Sequence, residues 1–158
     1  MRVLALDIDD CIFPNDNTYI GRMDDSLTIL EMNLKRIVGM AEKYEMTVFI
    51  TSSWYSILRF ERNKLYYTNY DALGTHKEYY QHEYLAFLLL KKYLEPYIIG
   101  LSCGNRITDI KTLLEEHTVV ALDDMDLSEI QELHYLYVPT KGFITNNMLY
   151  TIKKFLNV

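Results

Sequence analysis

Short apolar runs without clean alternation punctuate the chain, and they predict a sheet covered on both faces. The runs are Arg2–Asp7, Met46–Thr51, Tyr97–Ser102, Thr118–Leu122 and His134–Val138, each rich in Val, Ile, Leu, Phe or Tyr. A strand with one wet face alternates apolar and polar residues, whereas a strand buried on both sides reads as a continuous apolar run. Helical spacing fills the gaps between them. Leu27, Leu30, Leu34, Ile37 and Ala41 follow i, i+3, i+4 and define one apolar face. Asp24, Asp25 and Ser26 precede it, where side-chain caps and the helix dipole favour them. Glu78–Leu94 predicts a second helix with an apolar face of Leu85, Leu88, Leu89 and Tyr93. Ile107–Glu116 predicts a third on Ile110, Leu113 and Leu114, and Asn146–Leu156 a last one. A short helix is expected near Tyr55–Arg62. Strands alternating with helices predict an α/β fold, a mainly parallel sheet of about five strands in a three-layer α/β/α arrangement. Neither a repeat nor a linker is visible, and 158 residues suit a single domain over 1–158 with one sizeable core.

In parallel sheets, function gathers at the carboxyl ends of the strands, and the polar residues there are distinctive. Strand one ends in Asp7-Ile8-Asp9-Asp10. Three carboxylates within four residues of a buried strand repel one another, and desolvation raises their pKa. A hard divalent cation such as Mg²⁺, which prefers carboxylate oxygen, would compensate them; the plain alternative is an acidic turn after an edge strand. The next strand ends in Thr51-Ser52-Ser53-Trp54, the third in Ser102-Cys103-Gly104-Asn105 with Arg106 opening a helix, the fourth in Asp123-Asp124. Carboxylates, hydroxyls, a cation and again carboxylates are the components of metal-assisted phosphoryl transfer.

Composition narrows the setting. The net charge of −6 argues against a large non-specific nucleic-acid surface, but not against recognition of one phosphorylated end. Cys11 and Cys103 are the only cysteines, which forms no disulfide framework and fits a reducing compartment. The first strand starts at once, with no signal-peptide pattern. The longest apolar stretch, residues 84–100, is broken by Lys91, Lys92 and Glu95, so no membrane span is expected and a cytoplasmic location follows. The four histidines show no metal-ligand spacing.

Asp7-Ile8-Asp9-Asp10, then Thr51, then a basic residue, then Asp123-Asp124 resembles the four-motif pattern of haloacid-dehalogenase-type phosphohydrolases, over residues 2 to about 126. More narrowly, Ile50-Thr51-Ser52-Ser53-Trp54 and Arg106…Ile110…Leu122-Asp123-Asp124 resemble the small domains grouped with nucleic-acid-repair phosphatases of bacteria and phages, although Tyr55 stands where that group has Arg. The resemblance implies a Rossmann-like fold and a Mg²⁺-dependent phosphatase. Asp7 would be the nucleophile, and Asp9 the acid and then the base. Thr51 and Ser52 would contact the phosphoryl group. The metal would be held by Asp7, the Asp9 backbone carbonyl and Asp123, supported by Asp124. Either Arg106 or Lys111 would be the cation. Lys111 is the family's more usual side chain, but Arg106 sits at the helix start, nearer the strand end, and is preferred.

Substrate choice in this family depends on cap insertions. Residues 14–23, with turn formers Asn15, Asp16, Asn17 and Gly21, would make a small flap. The surplus over residues 62–77 is too short for a full cap domain. An open site follows, able to admit a nucleotide or a 5′ or 3′ phosphate end of a nucleic acid. The Tyr-rich surplus could stack bases or simply pack on the domain. Two other readings stay open: a receiver-like signalling domain, disfavoured because Thr51 precedes the Asp pair, and a catalytically silent relative that binds a partner.

Overall fold

The computed structural model describes residues 1–14, 23–69, 77–102 and 104–157. It is an α/β fold with a five-stranded parallel sheet flanked by helices, a Rossmann-like three-layer arrangement. The strands are β1 (Arg2–Leu6), β2 (Met46–Ile50), β5 (Ile98–Leu101), β6 (Thr118–Asp123) and β7 (Tyr135–Pro139). Between β2 and β5 lies a separate antiparallel hairpin, β3 (Leu58–Glu61) and β4 (Lys64–Tyr67). The helices are α1 (Met23–Tyr44), α2 (Lys77–Leu94), α3 (Arg106–Leu114) and α4 (Asn146–Leu156). No helix among the described residues is long and apolar enough to cross a membrane. The expected flap falls largely on residues outside the described set, as do Cys103, His76 and part of the Tyr-rich segment.

The sheet order is β5-β2-β1-β6-β7. β1, β2, β6 and β7 place apolar side chains on both faces of the sheet, divided by the twofold period of the backbone, whereas Ile99 of the edge strand β5 is exposed. Leu4 and Leu6 of β1, Val48 and Ile50 of β2, and Val120 and Leu122 of β6 pack into the larger cluster with Leu30, Leu34 and Ile37 of α1, Leu90 of α2 and Ile152 of α4. Val3 and Ala5 of β1, and Val119 and Ala121 of β6, pack the other way on Ile110 of α3, with Leu127 and Ile130. This two-faced burial is why the strands lack polar alternation.

Two expectations need correction. The segment expected as a helix at Tyr55–Arg62 is a 3-10 turn, Ser53–Ser56, followed by the hairpin. Leu58-Arg59-Phe60-Glu61 alternates apolar and polar, as does Lys64-Leu65-Tyr66, so period two wins over helix. Arg62 and Asn63 form the two-residue turn with φ of 53° and 63°, the positive values a type I′ hairpin turn requires. The second correction concerns α2. Leu85 and Leu88 are exposed, and the buried stripe is Ala86, Phe87, Leu90 and Leu94. Residues 85–90 are apolar all round, so spacing alone cannot choose the inward face; packing against α1 and the hairpin does. Tyr67 of β4 stacks on Tyr84 and Phe87 of α2, with ring centroids 5.4 and 5.5 Å away, and its hydroxyl donates to Glu83 at 2.6 Å. Part of the tyrosine richness is thus hairpin-to-helix packing.

Candidate active site

One residue beyond the paired row Ile50–Leu6–Leu122 lie Thr51, Asp7 and Asp123, on three neighbouring strands in register. The ladder continues into them: Thr51 N–H donates to the Leu6 carbonyl at 2.9 Å and Asp7 N–H to the Leu122 carbonyl at 3.0 Å. Period two gives all three side chains the same sense as Val3, Ala5, Val119 and Ala121, toward the face that carries α3. The chain runs from β1 outward through β2 to β5 and then returns to β6 on the opposite side of β1. The crevice beyond β1 and β6 is therefore the switch point where α/β sheets open a ligand site.

Arg106 completes the row from α3. Ser102 Oγ, buried at the end of β5, donates a short hydrogen bond to Asp109 and accepts from Gly104 N–H at 3.0 Å. Gly104 has φ of +116°, a conformation a side chain resists, and this turns the chain into α3. Asn105 caps the helix by accepting from Thr108 N–H at 3.1 Å. Arg106 then reaches back from the first turn. Its Nη1 lies 2.7 Å from Asp123 Oδ1 and 3.4 Å from Asp7 Oδ2, with 18% of its side chain exposed.

The carboxylates are nearly dry. Asp7 is 1% exposed and Asp123 0%. Asp7, Asp123 and Asp124 each present an oxygen within 4.8 Å of the others. Both oxygens of Asp7, Oδ2 of Asp123, Oδ1 of Asp9 and the Thr51 hydroxyl are buried and have no hydrogen-bond partner among the described residues. Burial is the first cause that pushes the Asp7 carboxyl up to about 8; the neighbouring carboxyls of Asp124 and Asp123 add to it, and Arg106 opposes. Burial also raises Asp123, against the Met125 N–H and Arg106, and raises Asp9, against the indole N–H of Trp54. One guanidinium, paired with Asp123 and Asp7, stands beside a cluster of three carboxylates, which leaves two negative charges uncompensated when all are ionised. Orphaned hard oxygens with that charge deficit could hold a metal cation.

The remaining sequence candidates are placed as follows. Ser52 is buried and its Oγ accepts from Trp54 N–H at 3.2 Å, so it caps the 3-10 turn. Lys111 is exposed on α3, and among the described residues no ion pair joins it to the carboxylates. Asp10 is exposed, with φ of 59°, and its N–H donates to the Phe13 carbonyl at 2.9 Å. Cys11 is fully buried and its thiol is held protonated by burial. Two supports carried no sequence signal. Asp109 fixes the loop that aims Arg106, and Asn33, buried on α1, bonds the carbonyls of Ile12 and Gly142 at 2.8 and 2.9 Å. Each acts through loop geometry, which spacing does not encode.

Searches against protein-family models, curated proteins and solved structures return no match.

Proposed function

We propose that this chain is a Mg²⁺-dependent phosphomonoesterase of the haloacid-dehalogenase type. It would work through an aspartyl-phosphate on nucleotides or on 5′ or 3′ phosphate ends of nucleic acids, in the cytoplasm. The observation that carries the reading is the row of Thr51, Asp7 and Asp123 with orphaned buried oxygens beside Arg106. The cation would be held by the carboxylates of Asp7, Asp123 and Asp124 and the Asp9 backbone carbonyl; when bound it supplies charge neutralisation to these groups and to the phosphoryl oxygens.

The chain's own residues divide the work. An Asp7 oxygen attacks phosphorus and the bond to the leaving oxygen breaks, while Asp9 gives that oxygen its proton. Water then attacks phosphorus as Asp9 takes its proton back, and the bond to Asp7 breaks to release inorganic phosphate. The raised pKa of Asp9 favours the protonated acid the first step needs. Arg106 balances charge on Asp7 and on the transferring group, and the unpartnered Thr51 hydroxyl is available to donate to a phosphoryl oxygen.

The test is phosphate release from p-nitrophenyl phosphate, nucleotides and 5′- or 3′-phosphorylated oligonucleotides, with Mg²⁺ and with EDTA. Release that needs Mg²⁺ and falls by about 10⁴-fold in Asp7→Asn supports the reading. Normal turnover in Asp7→Asn contradicts it. A receiver-like domain would keep a phosphoryl group rather than release it, and a silent relative would do neither.

A further inference from the structure

The turn that ends β6 carries Asp123 and Asp124, and the neighbouring strand stakes it down. β7 pairs with β6 in parallel register, with Tyr137 opposite Ala121 and Pro139 opposite Asp123. Period two puts Tyr135 and Tyr137 on one face of β7, packed on the cluster that holds Val119 and Ala121. Both hydroxyls leave their own strand and donate to carbonyls beyond β6. Tyr137 Oη lies 2.6 Å from the Met125 carbonyl oxygen, and Tyr135 Oη lies 3.1 Å from that of Leu127.

Met125 connects these bonds to the site. Its N–H donates to Asp123 Oδ1 at 2.9 Å, and the same oxygen accepts from Arg106 at 2.7 Å. Asp123 Oδ2 is buried and has no hydrogen-bond partner among the described residues. One oxygen of this carboxylate is thus held by two donors, and the other is left for a cation. Asp124 sits between Asp123 and Met125, so the same bonds fix the turn that carries it. We propose that Tyr137 is a positioning residue for the metal ligands: its hydroxyl holds the Met125 carbonyl, and Met125 in turn holds Asp123 Oδ1 and leaves Oδ2 for the cation. The proposal rests on the metal-dependent reading above. It goes beyond that reading by giving the edge strand β7 a part in cation affinity.

The decisive readout is Mg²⁺ affinity in two matched variants. Tyr137→Phe keeps the ring and removes only the hydroxyl. Tyr135→Phe makes the same change on the same strand, but frees a carbonyl further along the chain from Asp123. A general loosening would act through both, whereas the positioning role acts through Tyr137 alone. Isothermal titration calorimetry of the full chain with Mg²⁺, well below the melting temperature, reads the Kd directly. The Kd should rise about tenfold in Tyr137→Phe, the low end of what groups that orient a metal ligand contribute. It should change little in Tyr135→Phe, and Asp123→Asn should weaken binding most. Equal rises in the two Phe variants would overturn the positioning role. So would an unchanged Kd in Tyr137→Phe beside weakened binding in Asp123→Asn, and the metal site would still stand.

A second measurement needs no metal. In the metal-free protein, the Met125 amide should exchange with solvent deuterium faster in Tyr137→Phe than in the wild type or in Tyr135→Phe. Equal protection of this amide in all three would also overturn the proposal. No Mg²⁺ binding by the wild-type protein would instead remove the metal-dependent reading, and with it the role given to Tyr137.

Discussion

Burial sets the charge state of Asp7 more than any neighbour does, and that has a thermodynamic consequence. An unfolded Asp titrates near 3.8, whereas the folded Asp7 is pushed up to about 8. Between those values the metal-free fold binds a proton that the unfolded chain does not. Its stability is therefore fully present below about pH 4 and is lost as pH rises through about 8. Asp9 and Asp123 shift in the same direction and deepen the slope. Thermal unfolding in EDTA should show Tm falling across that window. Asp7→Asn should flatten the fall and be the more stable protein at neutral pH. Mg²⁺ should stabilise the wild type most at the alkaline end, because it binds the ionised folded state; a Tm that rises with pH in EDTA would contradict this account. Asp7, Thr51 and Asp123 were legible because each directly follows a buried apolar run, so period two fixes its side. That Arg106 rather than Lys111 lies beside the carboxylates was legible from helix position. The support of Arg106 by Ser102 and Asp109 was not, because it depends on loop geometry.

Asn33 joins elements that the sequence leaves unconnected. From α1 its amide donates to the Ile12 and Gly142 carbonyls, and its Oδ1 accepts from Ile144 N–H at 3.1 Å. One buried side chain thus ties the loop after β1 to the loop after β7. Gly142 N–H adds a bond to the Cys11 carbonyl at 2.7 Å. Asn33→Ala strands buried backbone groups and should cost about 3 kcal/mol. In urea the midpoint should fall with the slope unchanged; a midpoint shift below about 0.5 kcal/mol equivalent would mean that water replaces the amide freely. Most elements were legible from hydrophobic period, with strand bounds within a residue of those found. The hairpin was missed because each of its strands is only four residues long, and its signal is the period-two alternation on either side of the Arg62-Asn63 turn. The inward face of α2 was misread because residues 85–90 are apolar all round and are oriented by their neighbours.

The site exists only at the scale of the whole molecule. Asp7 and Asp123 lie far apart in the sequence and become neighbours because β6 pairs with β1 in parallel register. Alternating strands and helices imply a parallel sheet, but not which strand is central; the order β5-β2-β1-β6-β7 is what brings three polar strand ends into one row. The fold thereby concentrates buried negative charge at its switch point, with Arg106 as the cation that reaches it. In the proposed reaction this row forms a covalent phosphoryl intermediate on Asp7. The most direct measurement is the intact mass of acid-quenched Asp9→Asn protein after mixing with p-nitrophenyl phosphate and Mg²⁺. This substrate needs no acid to phosphorylate Asp7, and without Asp9 no base activates the water that would clear it. One phosphoryl group should be added, located on Asp7 and absent when Asp7 is also replaced by Asn. Phosphate release by the wild type with no phosphoryl group on Asp7 in the trapping variant would contradict it.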